Sequence, residues 1–291
     1  MGEPTIYRIS RSSSQWPALL CELPQKAQPK NLYVKGTLPP PDTLVVAVVG
    51  TRRPTSYGRD MAQEITRALA RKKIAIASGM ANGVDSIAHR VALEENVPTI
   101  AVLGSGLRED VIYPQENRDL SRRIVQAGGA LVSEYPEDQK PELWTFPQRN
   151  RIIAGIVKAA VIIEAGEKSG ALITARFATE YNREVFALPG AITNPMARGT
   201  NNLIRQGAHP ITSPDDILEE LGFELETLTP GVRVEVSEEE QKILDVLSEE
   251  LGLDEIIKKT HLGANAVLAN ASALEIRGLI KSIGGGMYRK I

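Results

Sequence analysis

The 291-residue sequence predicts an α/β fold: a mostly parallel sheet between helix layers, followed by a small separate C-terminal unit. Three observations carry this. Short β-branched runs alternate with helical periods from residue 43 to 222. The runs are apolar throughout, as in "AAVIIEA" (159–165), which marks strands covered on both faces. Almost every run enters a turn of small residues and then a helix, as βαβ units require.

Taken in order, residues 1–42 form an irregular lead-in punctuated by "LP", "QP" and "LPPPD", wrapped on the main body through Trp16, Leu19, Leu20, Leu32 and Tyr33. The large domain covers 43–225, with strands expected at 44–49, 73–78, 98–103, 130–133, 159–165 and 184–188. A linker follows at 226–236, and residues 237–291 make the small unit. A hydrophobic fraction of 42% is enough for a sizeable core. The formal net charge of -2 argues against a basic coat over the whole surface, so an anion site has to be local. Cys21 is the only cysteine, which excludes a disulfide or a Cys-based zinc site within one chain and fits a reducing compartment. No N-terminal h-region or membrane-length apolar stretch is present, and the expectation is a cytoplasmic protein with no membrane partner.

The turns "VVGTRRPTSYG", "ASGMANG", "VLGSG" and "IEAGEKSG" collect at the carboxyl edge of the sheet, where helix N-termini favour anions. None is G-x-G-x-x-G or a P-loop, which disfavours a dinucleotide cofactor and nucleotide hydrolysis. Cations stand there instead. Arg52 and Arg53 follow Gly50 and Thr51, and Lys168 lies beside Ser169, a candidate N-cap, and Gly170. The alternative is that these cations pair with Asp60, Glu164 or Glu167 on the surface. In "FPQRNRIIAG" (146–155) a helix starting near Gln148 places Arg149, Asn150 and Arg151 in its first turn, one arginine facing the crevice and the other bracing an acid. Basic residues there oppose the helix dipole, which an anion would relieve. Phe146 offers a face for a base; as a core anchor it would serve packing only, with Asn150 a turn former.

Together, "GTRRPTSYG", "SGMANGVDSIAH", "IAVLGSGLREDVIYP", "LVSEYP", "FPQRNRIIAG", "KSGALITARFA", "VFALPG" and "GTNNLIRQGA" resemble the DprA/Smf family, in order from about residue 43 to 220. The resemblance implies an extended Rossmann-like domain that binds single-stranded DNA without hydrolysing nucleotide, dimerises, and helps load the RecA recombinase during natural transformation. It implies a phosphate pocket of Gly50, Thr51, Arg52, Ser78, Gly79, Arg149, Asn150, Lys168, Ser169, Gly170 and Thr174, with Phe146 as base platform, and neither cofactor, metal nor catalytic residue. Only the lead-in "QWPALLCELPQKAQPKNLYVKGTL" matches the junction to the N-terminal helical module that many family members carry.

Two other readings use the same pocket. Phosphoribohydrolases with a P-G-G-x-G-T-x-x-E signature are related in fold, but "LPGAITNPMARGTNNLI" replaces the second Gly and sets Leu203 and Ile204 where the acid is sought. A small-nucleotide sensor would bind a mononucleotide as well as a strand. Asp85 and His89 lie i, i+4 and could orient one another as an acid/base pair; the expectation is a structural hydrogen bond between them.

In the small unit, "SEEEQKILDVLSEE", "LDEIIKKT" and "ANAVLANASALEIRGLI" read as three helices, and "KSIGGGMYRKI" as a strand-turn-strand wing, a winged-helix pattern. The third helix is poor in donors for base edges, and across 237–291 seven Lys and Arg residues face nine Asp and Glu. The unit is expected mainly to contact protein, and Lys281, Arg289 and Lys290 to add a weak DNA contact. Segment 201–211 is a candidate dimer interface or an ordinary return strand.

Overall fold

The computed structural model describes residues 5–224 and 236–290, and the chain divides between Glu224 and Leu225 into two compact units. The expected linker lies outside the described residues except for Val236.

All six strands expected from apolar runs are present: β3 (Val45–Val49), β4 (Ala75–Ser78), β5 (Thr99–Val102), β6 (Ala130–Ser133), β7 (Ala159–Ile162) and β8 (Glu184–Ala187). Three more belong to the same sheet: β1 (Ile6–Ser10), β2 (Asn31–Gly36) and the two-residue β9 (His209–Pro210). The nine strands run β1-β2-β6-β5-β4-β3-β7-β8-β9, parallel from β6 to β9, with β2 antiparallel to β6 and β1 to β2. The lead-in is therefore partly sheet. Its alternating pattern, with Leu32 and Val34 buried and their neighbours half-buried, is that of an antiparallel strand with one face on the core and the other partly open, here held between β1 and β6. Prolines around the strands disguise it in the sequence.

Strand β3 is the pivot: the chain adds β4, β5 and β6 on one side, then returns to place β7, β8 and β9 on the other. The crevice between the carboxyl ends of β3 and β7 is thus the topological switch point, the place where open α/β sheets bind ligands. Val45, Ala47 and Val49 enter a core shared with α4 (Thr145–Gly155) and α5 (Ala171–Glu180), while Val46 and Val48 are fully buried on the other side. That two-sided cover explains the unbroken apolar runs. Helix α1 (Ser56–Arg71) packs on α2 (Val84–Glu94), and α2 on α3 (Arg118–Gln126). After β8 come α6 (Arg198–Arg205) and α7 (Pro214–Glu220), so residues 201–205 of the candidate interface are helical and only His209–Pro210 form the return strand.

The C-terminal unit has its own core. Helices α8 (Glu238–Val246), α9 (Leu253–Thr260) and α10 (Ala264–Ile276) bury Ile243, Ile256, Val267 and Leu274 against Ile280 of β11 (Ile280–Gly284). With β12 (Met287–Lys290) and β10 (Leu251–Gly252) this completes the expected winged helix, its wing turned by Gly284, Gly285 and Gly286, all at positive φ. Ser237 and Glu240 form a capping box at the start of α8. Among the described residues no helix is long and apolar enough to cross a membrane.

Candidate functional site

A cavity of about 950 Å³ opens at the switch point. The β3–α1 turn lines it with Gly50, Thr51, Arg52 and Arg53. The β7–α5 turn adds Gly166 to Gly170, α4 adds Phe146, Arg149 and Asn150, and α5 adds Thr174. A smaller cleft of about 40 Å³, between Gly79, Ala81 and Tyr113, shares Arg52, Phe146 and Arg149 with it.

The rim is where charge stands free. Arg52, Arg53 and Lys168 are exposed, and among the described residues none forms an ion pair; Glu167, which might have taken one of them, pairs with Arg198 at 3.6 Å. Glu164 is hydrogen-bonded to Thr55 instead, at 2.8 and 2.7 Å. Arg52 instead lies with its guanidinium carbon 6.0 Å from the centroid of the half-buried Phe146 ring, within cation–π range. Tyr113, 44% exposed, meets the same ring at 5.6 Å in a tilted arrangement. Gly170 leaves open space where a Cβ would stand, so the backbone at the head of α5 is approachable. Gly170 itself is the N-cap of α5, and the Ser169 hydroxyl accepts from Ala171 N at 3.3 Å.

The floor differs from expectation. Helix α4 starts at Thr145, three residues ahead of Gln148, because the Thr145 hydroxyl bonds Gly104 O at 2.5 Å and Glu142 O at 2.7 Å and so anchors an earlier first turn. Arg149 and Arg151 consequently fall beyond that turn, and the argument from an opposed dipole does not apply to them. Arg151 does brace an acid, Glu134, and also donates to Ala27 O. Arg149 is buried, donating through Nη1 to Gly79 O at 2.6 Å and to Val102 O, and through Nε to Asn150 Oδ1 at 3.1 Å. It ties α4 to the ends of β4 and β5 and is a cation of the floor, not of the rim. Burial pulls its pKa down to about 10 against the opposing pull of Asp85, so it stays charged at neutral pH.

Asn150 also serves the scaffold, its amide nitrogen donating to Gly170 O at 3.1 Å. Ser78 is withdrawn from the pocket altogether: it is fully buried, and its hydroxyl donates to Val48 O at 2.7 Å. Thr174 lines the cavity but is only 2% exposed. The Asp85–His89 bond is absent. Asp85 accepts from Gly79 N and Ala81 N at 3.1 and 3.3 Å, whereas His89 Nδ1 bonds Thr99 Oγ1 at 2.7 Å. Burial raises the Asp85 pKa and lowers that of His89 to about 3, so the imidazole is neutral.

Residues 8–222 match the protein family described as DNA recombination-mediator protein A. The chain belongs to that family. Residues 229–286 match the DprA winged helix domain as well. Protein Smf of Escherichia coli K12 is 36% identical over 99% of this chain and 79% of its own length. DNA processing protein DprA of Bacillus subtilis is 40% identical over 75% of this chain and 72% of its own. Among solved structures, DNA processing protein A of Streptococcus pneumoniae superposes with a TM-score of 0.66 at 36% identity, covering 76% of this chain and 75% of that one. The Helicobacter pylori protein, whose structure is described as showing a single-stranded DNA binding mode, gives 0.64 at 33% identity over 74% and 95%. The family's description is that of a recombination mediator.

Sequence reasoning passed over Tyr113 and weighed Glu164 only as a surface partner. Glu164 is 2% exposed, at the carboxyl end of β7. An acid closing an otherwise apolar strand was the available signal. Tyr113 carried none, since its approach to Phe146 joins segments far apart in the chain.

Proposed function

We propose that the carboxyl edge of the large unit holds single-stranded DNA. The observation that carries this reading is the combination on one rim of three exposed cations without an ion pair among the described residues, Arg52, Arg53 and Lys168, with the aromatic faces of Phe146 and Tyr113. Cations that track phosphates beside rings that take bases are what strand binding needs, and the pairing is tolerant of sequence. Gly50, Thr51, Ser169 and Gly170 contribute backbone and hydroxyl groups to the phosphate contacts, while Gly79, Arg149, Asn150 and Thr174 shape the floor beneath. The described binding mode of the Helicobacter pylori relative supports the same ligand.

As a recombination mediator the protein protects incoming strands and loads RecA recombinase during natural transformation, acting in the cytoplasm without a cofactor. One cavity covers few nucleotides, so a homodimer with two cavities on one strand gains affinity through effective concentration. The winged-helix unit mainly contacts protein: α10 presents Asn265, Leu268, Ala269, Ser272 and Glu275, a surface without a cation.

Fluorescence anisotropy with labelled oligothymidylates of increasing length tests the reading. Affinity rising with length and falling with salt is expected. Equal affinity for thymidine monophosphate and for the strand would assign the pocket to a small nucleotide instead.

A further inference from the structure

The smaller cleft beside Tyr113 is rich in donors and holds no acid. Four of its side chains carry polar groups: Arg52 from the turn after β3, Asn82 from the turn after β4, Tyr113, and Arg149 from α4. No carboxylate lines it. Asn82 and Tyr113 are exposed, and neither side chain forms a hydrogen bond among the described residues. Arg149 is 6% exposed; its Nη1 donates to Gly79 O and Val102 O and its Nε to Asn150, while Nη2 has no hydrogen bond among the described residues. A Cβ on Gly79, which lines the cleft, would come within 2.7 Å of that nitrogen, so the wall has no side chain where Nη2 reaches it.

The two arginines of the cleft repel one another. Burial is the main cause that brings the Arg149 pKa down to about 10; Asp85 opposes it, and the Arg52 charge lowers it further. Asp85 lines the main cavity and not the cleft, and it accepts from Gly79 N and Ala81 N. Two guanidiniums about a small space with no acid between them make a place for an anion, and the space limits its size. The cleft has about 40 Å³, against about 950 Å³ for the cavity whose Arg52, Phe146 and Arg149 it shares. That is room for about three waters, enough for a phosphate and too little for a base.

We propose that this cleft seats the terminal phosphate of a strand whose following nucleotides lie in the main cavity. The proposal rests on the strand reading above. A phosphate monoester at a strand end carries about −1.5 to −2 charges at neutral pH, whereas an internal diester carries a single one and continues into a nucleoside on both sides. Two guanidiniums answer the monoester more fully. Nη2 of Arg149, the Arg52 guanidinium, the Asn82 amide and the Tyr113 hydroxyl supply its donors, the first two as charge-assisted hydrogen bonds. Phe146 borders both cleft and cavity, so its ring stands where the base next to that phosphate needs a face.

The test uses unlabelled oligothymidylates of one length that carry a 5′-phosphate, a 3′-phosphate or a hydroxyl at both ends, each competing with an internally labelled strand for the full chain in an anisotropy titration. At least one phosphorylated strand should compete about fivefold more tightly than the hydroxyl-ended one. In the double variant Asn82→Ala with Tyr113→Phe, which removes two exposed donors and keeps the ring, that preference should fall below about twofold while the unfolding midpoint stays at the wild-type value. Three strands of equal affinity for wild type overturn the proposal, as does a preference that stays above about twofold in the double variant. Equal affinities that fall together in the double variant also overturn it, and assign the cleft to an internal diester. The hydroxyl-ended strand separates the two readings. Wild type that binds it and gains nothing from either phosphate keeps the strand reading and loses the terminal seat; wild type that binds none of the three removes the strand reading itself.

Discussion

Arg52 and Arg149 line the same cavity with the same guanidinium, and their surroundings differ in every respect that decides a role. Arg52 is exposed, without an ion pair among the described residues, and rests on the face of Phe146. Arg149 is buried, donates to the carbonyls of Gly79 and Val102 and to Asn150, and offsets the charge of Asp85. The first has hydrogen-bonding capacity to offer a ligand; the second uses most of its own to hold three elements together. The pairing of a cation, more than its presence in a pocket, separates a binding group from a structural one.

The largest effect that can break this comparison is on stability. Arg149→Ala should cost about 3–5 kcal/mol in urea unfolding, because it strands two strand-end carbonyls and a buried acid. If the variant unfolds like wild type yet loses DNA, Arg149 is a ligand group after all.

Next is pH. His89 is neutral in the fold with a pKa near 3, below its unfolded value of about 6.5, so the unfolded chain binds the extra proton. The stability this contributes is complete above pH ~6.5 and falls as pH drops toward 3, by about 1 kcal/mol per pH unit. Urea midpoints measured from pH 7 to 4 should decline, and less steeply in His89→Gln than in wild type.

The rim comes third. Phe146→Ala should weaken oligothymidylate binding by about 1–3 kcal/mol, with Phe146→Tyr close to wild type. Equal binding by the Ala variant would make the ring a packing residue. The smallest effect is expected in the wing, where Arg289→Ala with Lys290→Ala should change strand affinity less than about threefold, by the same anisotropy titration.

The large sheet was legible because a parallel strand buried on both faces writes itself as an uninterrupted apolar run. The antiparallel strands β1 and β2 at one end of the sheet were not, since one open face and flanking prolines dilute that signal. The same physics governed the site. Gly-rich turns and their cations, Arg52 and Lys168 among them, are local in sequence and were found. What a buried side chain bonds to is not local: Arg149 reaches carbonyls on β4 and β5, and Ser78 reaches across to β3. The start of α4 was misplaced by three residues for a similar reason, since Gly104, far away in the chain, helps to fix Thr145.

The most direct test of a phosphate-gripping rim above a structural floor is the double substitution Arg52→Ala with Lys168→Ala, titrated with oligothymidylate at several salt concentrations alongside its thermal unfolding. The account predicts an unchanged unfolding midpoint, affinity reduced by about tenfold or more, and a salt slope smaller by about one to two. A variant that keeps wild-type affinity and slope would contradict it.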